Sequence, residues 1–273
     1  MTVRETGAAG SAVSPIALSI VVPTFGDASR IGMVVSRIDD LLGAAATTYE
    51  ILVVSDGNED DTVAVLRRLS AERHAVVPHQ YLPNRGKGYA MCYGAARARG
   101  EVVAFIDGDG EIDPAHLLAY VRILEEQRAD CVIGSKRHPQ SQVTYPGMRR
   151  LYSRVYQALI AFLFQLDVRD TQVGVKVFRR HVLAAALPRL LVRQYAFDLE
   201  LLVVVHHLGY RSVAEAPVAI DRRFASTINV PSVVRMLGDT LAIWYRQRVM
   251  RYYDHTEHVA LADIRILRSG HER

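Results

Sequence analysis

From Leu18 onward, short β-branched runs alternate with segments whose apolar positions recur at helical period, which predicts strand–helix–strand units building a mostly parallel sheet. Leu18–Val22 (LSIVV) reads as a buried strand closed by Pro23, and a helix over Gly32–Leu42 follows. The strand Ile51–Val54 and a helix from Asp60 to about Glu72 come next, then a short strand at His79–Leu82 ahead of a helical Gly86–Arg99. Val102–Ile106 (VVAFI) is apolar throughout, as expected of a central strand covered on both faces. Asp113 is placed to cap a helix opened by Pro114, and Cys131–Gly134 reads as a further strand.

Beyond Pro146 the pattern changes. Arg149–Leu166 sets apolar groups at 151, 155, 158, 159, 162, 163 and 166, a helical stripe with arginines at its start. Val233–Tyr253 is similar, with Leu237, Leu241, Ile243 and Trp244 ahead of Arg246, Arg248 and Arg251. Each segment can be a core-packing helix or a helix lying on a membrane with its arginines at the headgroups. The expected organisation is a flexible leader over 1–16, one domain over 17–253 with basic amphipathic helices at about 148–166 and 232–252, and a tail over 254–273.

Composition narrows the classes. The 273 residues are half apolar and 23% charged, which excludes a largely disordered chain. The longest apolar run, Ala158 to Phe164, is far short of the about 20 residues that a spanning helix needs. The start of the chain lacks the apolar segment of a secretory signal. Cys92 and Cys131 have no metal-type spacing and read as free thiols in a reducing cytoplasm. Net charge is only +4, but Gly134–Leu166 holds Lys136, Arg137, Arg149, Arg150 and Arg154 with no acidic residue. Such a cluster is either a solvated face or a site for phosphate or lipid headgroups, and without interleaved aromatics it does not point to nucleic acid.

The polar residues gather where a parallel sheet binds ligands, just past the carboxyl ends of strands. Pro23-Thr24-Phe25-Gly26-Asp27 follows the first strand, Ser55-Asp56-Gly57 the second, and Asp107-Gly108-Asp109-Gly110-Glu111 the apolar one. Two carboxylates at i and i+2 after a buried strand repel each other unless a cation lies between them, and hard oxygen donors suit Mg²⁺ or Mn²⁺. The plainer alternative is an acidic turn before the Asp113 cap. In Asn84-Arg85-Gly86-Lys87-Gly88, glycines flank a lysine just before a helix, so that backbone N–H groups and an ammonium can approach a diphosphate. Asp56 can accept from a nucleobase or ribose, or simply close an Asx turn.

Taken in order, PTF, ILVVSDGNEDDT, NRGKG and VVAFIDGDGEI resemble the family 2 glycosyltransferases, whose GT-A fold is an α/β, Rossmann-like sheet flanked by helices. GSKRH at 134–138, RDTQVGVKVFRR at 169–180 and YAFDLELL at 195–202 bring the resemblance closest to the polyprenyl- or dolichyl-phosphate hexosyltransferases, especially the dolichyl-phosphate β-glucosyltransferase branch. The resemblance implies Pro23, Thr24, Asp56, Gly86, Lys87 and Asp107 at the donor nucleotide, and Asp107, Asp109 and Glu111 around the metal. It implies Asp198 and Glu200 as the catalytic acidic pair, and Lys136, Arg149, Arg150, Arg222 and Arg223 at phosphate of donor or acceptor. Ser55 replaces the usual first Asp of the family's DDGS segment, and Arg222–Ser226 matches the family's late basic loop only loosely. The activity so implied is inverting, metal-dependent transfer of a hexose, glucose foremost, from a nucleoside diphosphate sugar such as UDP-glucose to polyprenyl phosphate. The protein is then expected in the cytoplasm, peripheral on the inner face of the cell membrane. A glycosyltransferase with a hydroxyl acceptor, where Asp198 or Glu200 must act as base, and a catalytically silent nucleotide-sugar-binding protein are the competing readings.

Overall fold

The computed structural model describes residues 16–45, 47–57, 61–143, 147–194, 196–220 and 230–255, the side chains of 147–152 and 230–232 excepted. The side chains of Arg149 and Arg150 and all of Arg222 and Arg223 lie outside the described residues, as do most of the expected leader and tail.

The chain runs β1 (Leu18–Thr24), α1 (Ala28–Gly43), β2 (Tyr49–Asp56), α2 (Thr62–Glu72), β3 (Val76–Tyr81), α3 (Lys87–Ala95), β4 (Val102–Phe105), α4 (Ala115–Glu126) and β5 (Cys131–Ser135). After the short β6 (Gln142–Val143) come α5 (Gly147–Phe164), β7 (Lys176–Arg179), α6 (Arg180–Ala186), α7 (Phe197–His207), β8 (Val213–Pro217), β9 (Ala219–Ile220) and α8 (Val230–Arg248). Seven strands form one sheet in the order β3-β2-β1-β4-β7-β5-β8. Only β7 runs against its neighbours, β4 and β5.

Alternation along the inner strands splits the core in two, because successive side chains leave a strand on opposite faces. Ile20, Val22, Ile51, Val53 and Ala104 join the layer under α1, α2 and α4. Val21, Leu52, Val54, Val103 and Phe105 join the layer under α3, α5, α6, α7 and α8. With both faces covered, these strands read as continuous apolar runs, which is why they were legible.

Several boundaries differ from expectation. β1 continues through Pro23, which pairs with Val54, to Thr24; its pairing to β4 stops at Val21, so a residue without an N–H meets an open edge there. Helix α1 starts at Ala28 because Asp27 Oδ1 accepts the Arg30 N–H at 3.2 Å. Asp113 does cap α4, accepting the Ala115 N–H at 2.9 Å. The last helix stops at Arg248, short of the expected Tyr253, and Arg251 turns into the left-handed region at φ 49°.

α5 and α8 each have two working faces. Ile160 and Phe164 of α5 and Ile243 of α8 are core residues, and the Tyr156 hydroxyl and Thr240 Oγ1 join the helices at 2.8 Å. Phe162 is nevertheless 82% exposed, Val155 on the same helix is exposed to a lesser degree, and Val234, Leu237, Leu241 and Tyr245 are exposed in helix spacing on α8. Among the described residues no helix is long and apolar enough to cross a membrane.

Candidate active site

Strand order reverses between β1 and β4, and the crevice beyond their carboxyl ends is where an open α/β sheet receives ligands. Because β7 is antiparallel, the residues entering it arrive at this same edge: Lys176 pairs with Phe105, two residues before Asp107. The segment RDTQVGVKVFRR therefore supplies one wall of the crevice.

That wall touches the acidic pair directly. Gly174 lies against the carboxylate of Asp107 so closely that any Cβ there would collide with it. The other oxygen, Asp107 Oδ1, is buried and is ion-paired with Lys87 Nζ at 2.7 Å. Asp109, two residues on, is more exposed. Loss of hydration and then repulsion from Asp107 push its carboxyl above the usual range, against the N–H of Glu111 and the charge of Lys87. Two oxygen-donor carboxylates, one with a single ammonium on its buried oxygen and one made reluctant to ionise, fit a hard divalent cation that takes its remaining ligands from phosphate and water. Among the described residues no three His, Cys, Asp or Glu side chains cluster as a preformed cation cage. The Glu111 backbone N–H donates to Asp109 Oδ1 at 3.0 Å.

The glycine–lysine loop is built differently from expectation. Asp56 is only 3% exposed, and its two oxygens accept the N–H groups of Arg85 at 2.7 Å and Gly86 at 2.9 Å. The Gly88 N–H donates to the Arg193 carbonyl at 2.9 Å. Gly86 has φ 96°, and a Cβ there would lie 2.5 Å from that carbonyl, so glycine is required by both strain and space. The amides of Arg85, Gly86 and Gly88, among those expected to cradle a diphosphate, are therefore occupied within the protein. What the loop offers the crevice is the Lys87 ammonium. Burial opposes its charge, but Asp107, then Asp198 and Asp109, outweigh burial and raise its pKa. Asp56 acts first as the latch of this loop. Pro23 and Thr24 close the floor, with the Thr24 hydroxyl turned toward the Gly26 carbonyl at 3.5 Å.

Asp198 and Glu200, expected as one acidic pair, are separated by the helix that carries them. Helix α7 is buried from Phe197 to Val205. Residues two apart on a helix point about 200° from each other. Asp198 faces the crevice, where Lys176 Nζ, 1% exposed, donates to its Oδ1 at 2.6 Å and also to the Val173 carbonyl. Burial alone would raise the Asp198 pKa, but Lys176, Lys87 and Lys136 hold it below the usual carboxylate range. Lys136 itself leaves the end of β5, its N–H fixed by Asp170 Oδ2 at 3.1 Å. Glu200 faces the opposite way and is fully buried. Its Oε2 accepts the Leu191 and Val192 N–H groups at 2.8 and 2.6 Å, and its Oε1 meets Arg246 at 3.0 Å and the Tyr253 hydroxyl at 2.8 Å. Breaking such a pair typically costs about 3–5 kcal/mol. Glu200 thereby fixes the strand of chain leading to Arg193, which supports Gly88, and it draws Arg246 inward, away from the basic surface expected of it.

Lys176 and Gly174 are the site residues that the reading of the sequence missed. No element is predicted over this segment from the sequence, and only the juxtaposition of Lys176 with Asp198 across a sheet of mixed direction reveals it.

Comparison with known proteins agrees with this geometry. The family model described as Glycosyl transferase family 2 matches residues 19–186. Glycosyltransferase AglD of Haloferax volcanii is 27% identical over 250 residues, 90% of this chain and 40% of that one. A dolichyl-phosphate beta-glucosyltransferase of Drosophila melanogaster is 32% identical over 211 residues, 70% of this chain and 63% of the relative. The chain thus spans less than two thirds of the length of both relatives. Among solved structures, mannosyl-3-phosphoglycerate synthase from Rubrobacter xylanophilus matches with a TM-score of 0.64 at 20% identity, over 86% of this chain and 75% of its own. Glucosyl-3-phosphoglycerate synthase from Mycobacterium tuberculosis, in a complex with Mn²⁺, UDP and phosphoglyceric acid, matches with a TM-score of 0.64 at 20% identity, covering 84% and 78%. These two likenesses establish the fold.

Proposed function

The chain belongs to glycosyltransferase family 2, and from that premise we propose that it moves a hexose, glucose by preference, from UDP-glucose to a polyprenyl phosphate with inversion. The support for the donor half is the crevice itself, and for the acceptor half the relative named for dolichyl phosphate. One observation carries the choice of acceptor. Asp198 is the only carboxylate of the expected catalytic pair that faces the crevice, and it is ion-paired to a buried lysine with its pKa held low. A carboxylate so held is a poor general base, which a hydroxyl acceptor needs. An acceptor phosphate is already ionised near neutral pH and needs only to be positioned.

In this reading Asp107 and Asp109 hold a divalent ion, which when bound neutralises charge developing on the leaving diphosphate. Lys87 contributes a second positive charge on the loop latched by Asp56. Lys176 is paired to Asp198, and Lys87 and Lys136 act on the same carboxylate, so that with a divalent ion on Asp107 and Asp109 the crevice carries a positive excess suited to an acceptor phosphate. Arg149, Arg150, Arg222 and Arg223 are proposed as further phosphate ligands. Attack on the face opposite the leaving group inverts the anomeric carbon.

The test is a transfer assay with the full chain, a short polyprenyl phosphate and a panel of labelled nucleotide sugars. UDP-glucose is expected to give a lipid-linked, acid-labile glucose product at least about tenfold faster than UDP-N-acetylglucosamine or GDP-mannose, a difference of about 1.4 kcal/mol in transition-state binding. Transfer to a sugar hydroxyl with none to lipid phosphate overturns the proposal.

The exposed apolar faces of α5 and α8 are proposed to rest on an anionic bilayer. Val155, Phe162, Val234, Leu237, Leu241 and Tyr245 supply the apolar side. Arg154, Arg235, Arg248 and Arg251 are exposed around them and match anionic headgroups. In liposome flotation the protein is expected to rise with vesicles containing about a third phosphatidylglycerol, and to lose most of that binding as salt shortens the screening length from about 10 Å at 0.1 M to 3 Å at 1 M. Sedimentation away from all vesicles at low salt disproves the docking face.

A further inference from the structure

We propose that Lys87 competes with the divalent ion for Asp107, so that metal and nucleoside diphosphate bind synergistically, the diphosphate drawing the ammonium off the carboxylate. This rests on the donor-site reading above and deepens it.

The argument begins with a single oxygen. Asp107 Oδ1 is buried, accepts no hydrogen bond of good geometry, and lies 2.7 Å from Lys87 Nζ. Asp107 is 23% exposed with its Oδ1 buried, so an ion reaching the carboxylate from the open side is still held beside the Lys87 ammonium. A divalent ion coordinates carboxylate oxygen at about 2.0–2.2 Å, and an ammonium left beside it would face two positive charges. The repulsion between an ammonium and a divalent ion is twice that between two unit charges at the same separation. The ion therefore has to displace Lys87 or bind weakly.

Lys87 is built to be displaced. It begins α3 on a flexible stem, and its side chain is 43% exposed. Lys176, the other lysine in a crevice ion pair, is 1% exposed and anchored to both Asp198 and the Val173 carbonyl. Asp198 also attracts Lys87, so the ammonium has a second carboxylate to lean on as it leaves Asp107. A diphosphate arriving with the ion offers it several anionic oxygens at once. By linkage, whatever the diphosphate gains from Lys87 the ion gains from a freed Asp107, and the coupling is reciprocal.

The experiment titrates the full chain with Mn²⁺, with and without saturating UDP, and follows free Mn²⁺ by electron paramagnetic resonance. For the unaltered protein UDP is expected to tighten Mn²⁺ binding at least about tenfold. For Lys87→Met, Mn²⁺ alone is expected to bind about tenfold tighter than to the unaltered protein, with the enhancement by UDP reduced below about threefold. Lys87→Gln is expected to behave like Lys87→Met, which keeps the test decisive if one variant folds poorly. If both variants bind Mn²⁺ alone no better than the unaltered protein while UDP still enhances the latter, the competition is refuted and the donor site stands. If the unaltered protein takes up neither Mn²⁺ nor UDP, the donor-site reading falls, and this inference with it.

Discussion

Asp109→Asn is expected to reduce transfer of glucose to polyprenyl phosphate by about 10³-fold, at the upper end of what removing one electrostatic stabiliser of a transition state costs. The substitution is nearly isosteric. The contact that Asp109 makes with the protein, acceptance of the Glu111 N–H at 3.0 Å, survives through the amide oxygen of asparagine. The thermal midpoint should therefore move little, as for most exposed substitutions, which change stability by about 0.5 kcal/mol or less. What is lost is charge at a place where the structure makes charge unfavourable without a cation. Loss of hydration and the proximity of Asp107 raise the Asp109 pKa, so the ionised form gains most from a divalent partner. The checks are the radiolabel transfer assay, Mn²⁺ uptake in the presence of UDP, and a melting curve. Near-unaltered transfer by the asparagine variant would remove the basis for a metal at this turn. A variant that fails to fold would instead contradict the view that Asp109 contributes nothing structural.

The parts of this site legible in the sequence were those in which local pattern and tertiary environment coincide. VVAFI followed by DGDG is readable because a strand buried on both faces must be apolar and its carboxyl end must be polar. Asp113 and Pro114 announce a helix start by chemistry confined to one turn. Three features depend on partners distant in sequence, and these were not readable. The Gly-Lys-Gly loop could be seen, but not that Asp56, 30 residues earlier than Gly86, already accepts its amides. Asp198 and Glu200 could be seen as a pair of acids, yet a helix buried on all sides sends them to opposite faces. Lys176 sits in a strand that breaks the parallel order of the sheet, and its charge is tolerable there because Asp198 lies 22 residues further on and 2.6 Å away. Motif spacing reports which chemistry is present; the buried ion pairs decide which group is free to use it.

Gly174→Ala is the sharpest test of that last point, since it alters no charge, no hydrogen-bonding group and no residue that the motif reading assigned to the site. The backbone at Gly174 is not in the left-handed region, so alanine meets no conformational strain of the kind that Gly86 would impose. The obstacle is the carboxylate of Asp107, which lies where the methyl would go. Either Asp107 swings away or the 170–175 segment backs off, and that segment is held by Asp170 to the Gln172 and Lys136 N–H groups at 3.1 Å each and by Lys176 to the Val173 carbonyl. With the backbone so tied, the side chain yields, and a displacement of about 1 Å in a reacting constellation costs about 10²-fold in rate. The expected result is a loss of that size in kcat, with Mn²⁺ uptake in the presence of UDP weakened in parallel. Gly238→Ala supplies the control, because nothing lies within 4 Å of its Cβ position and its backbone is helical. There the same change should leave transfer intact and raise stability by about 0.5–1 kcal/mol, the usual gain from replacing a helical glycine. If Gly174→Ala matches Gly238→Ala in transfer and metal uptake, Asp107 has room that this packing denies it, and the close approach of β7 to the acidic turn has no part in the chemistry.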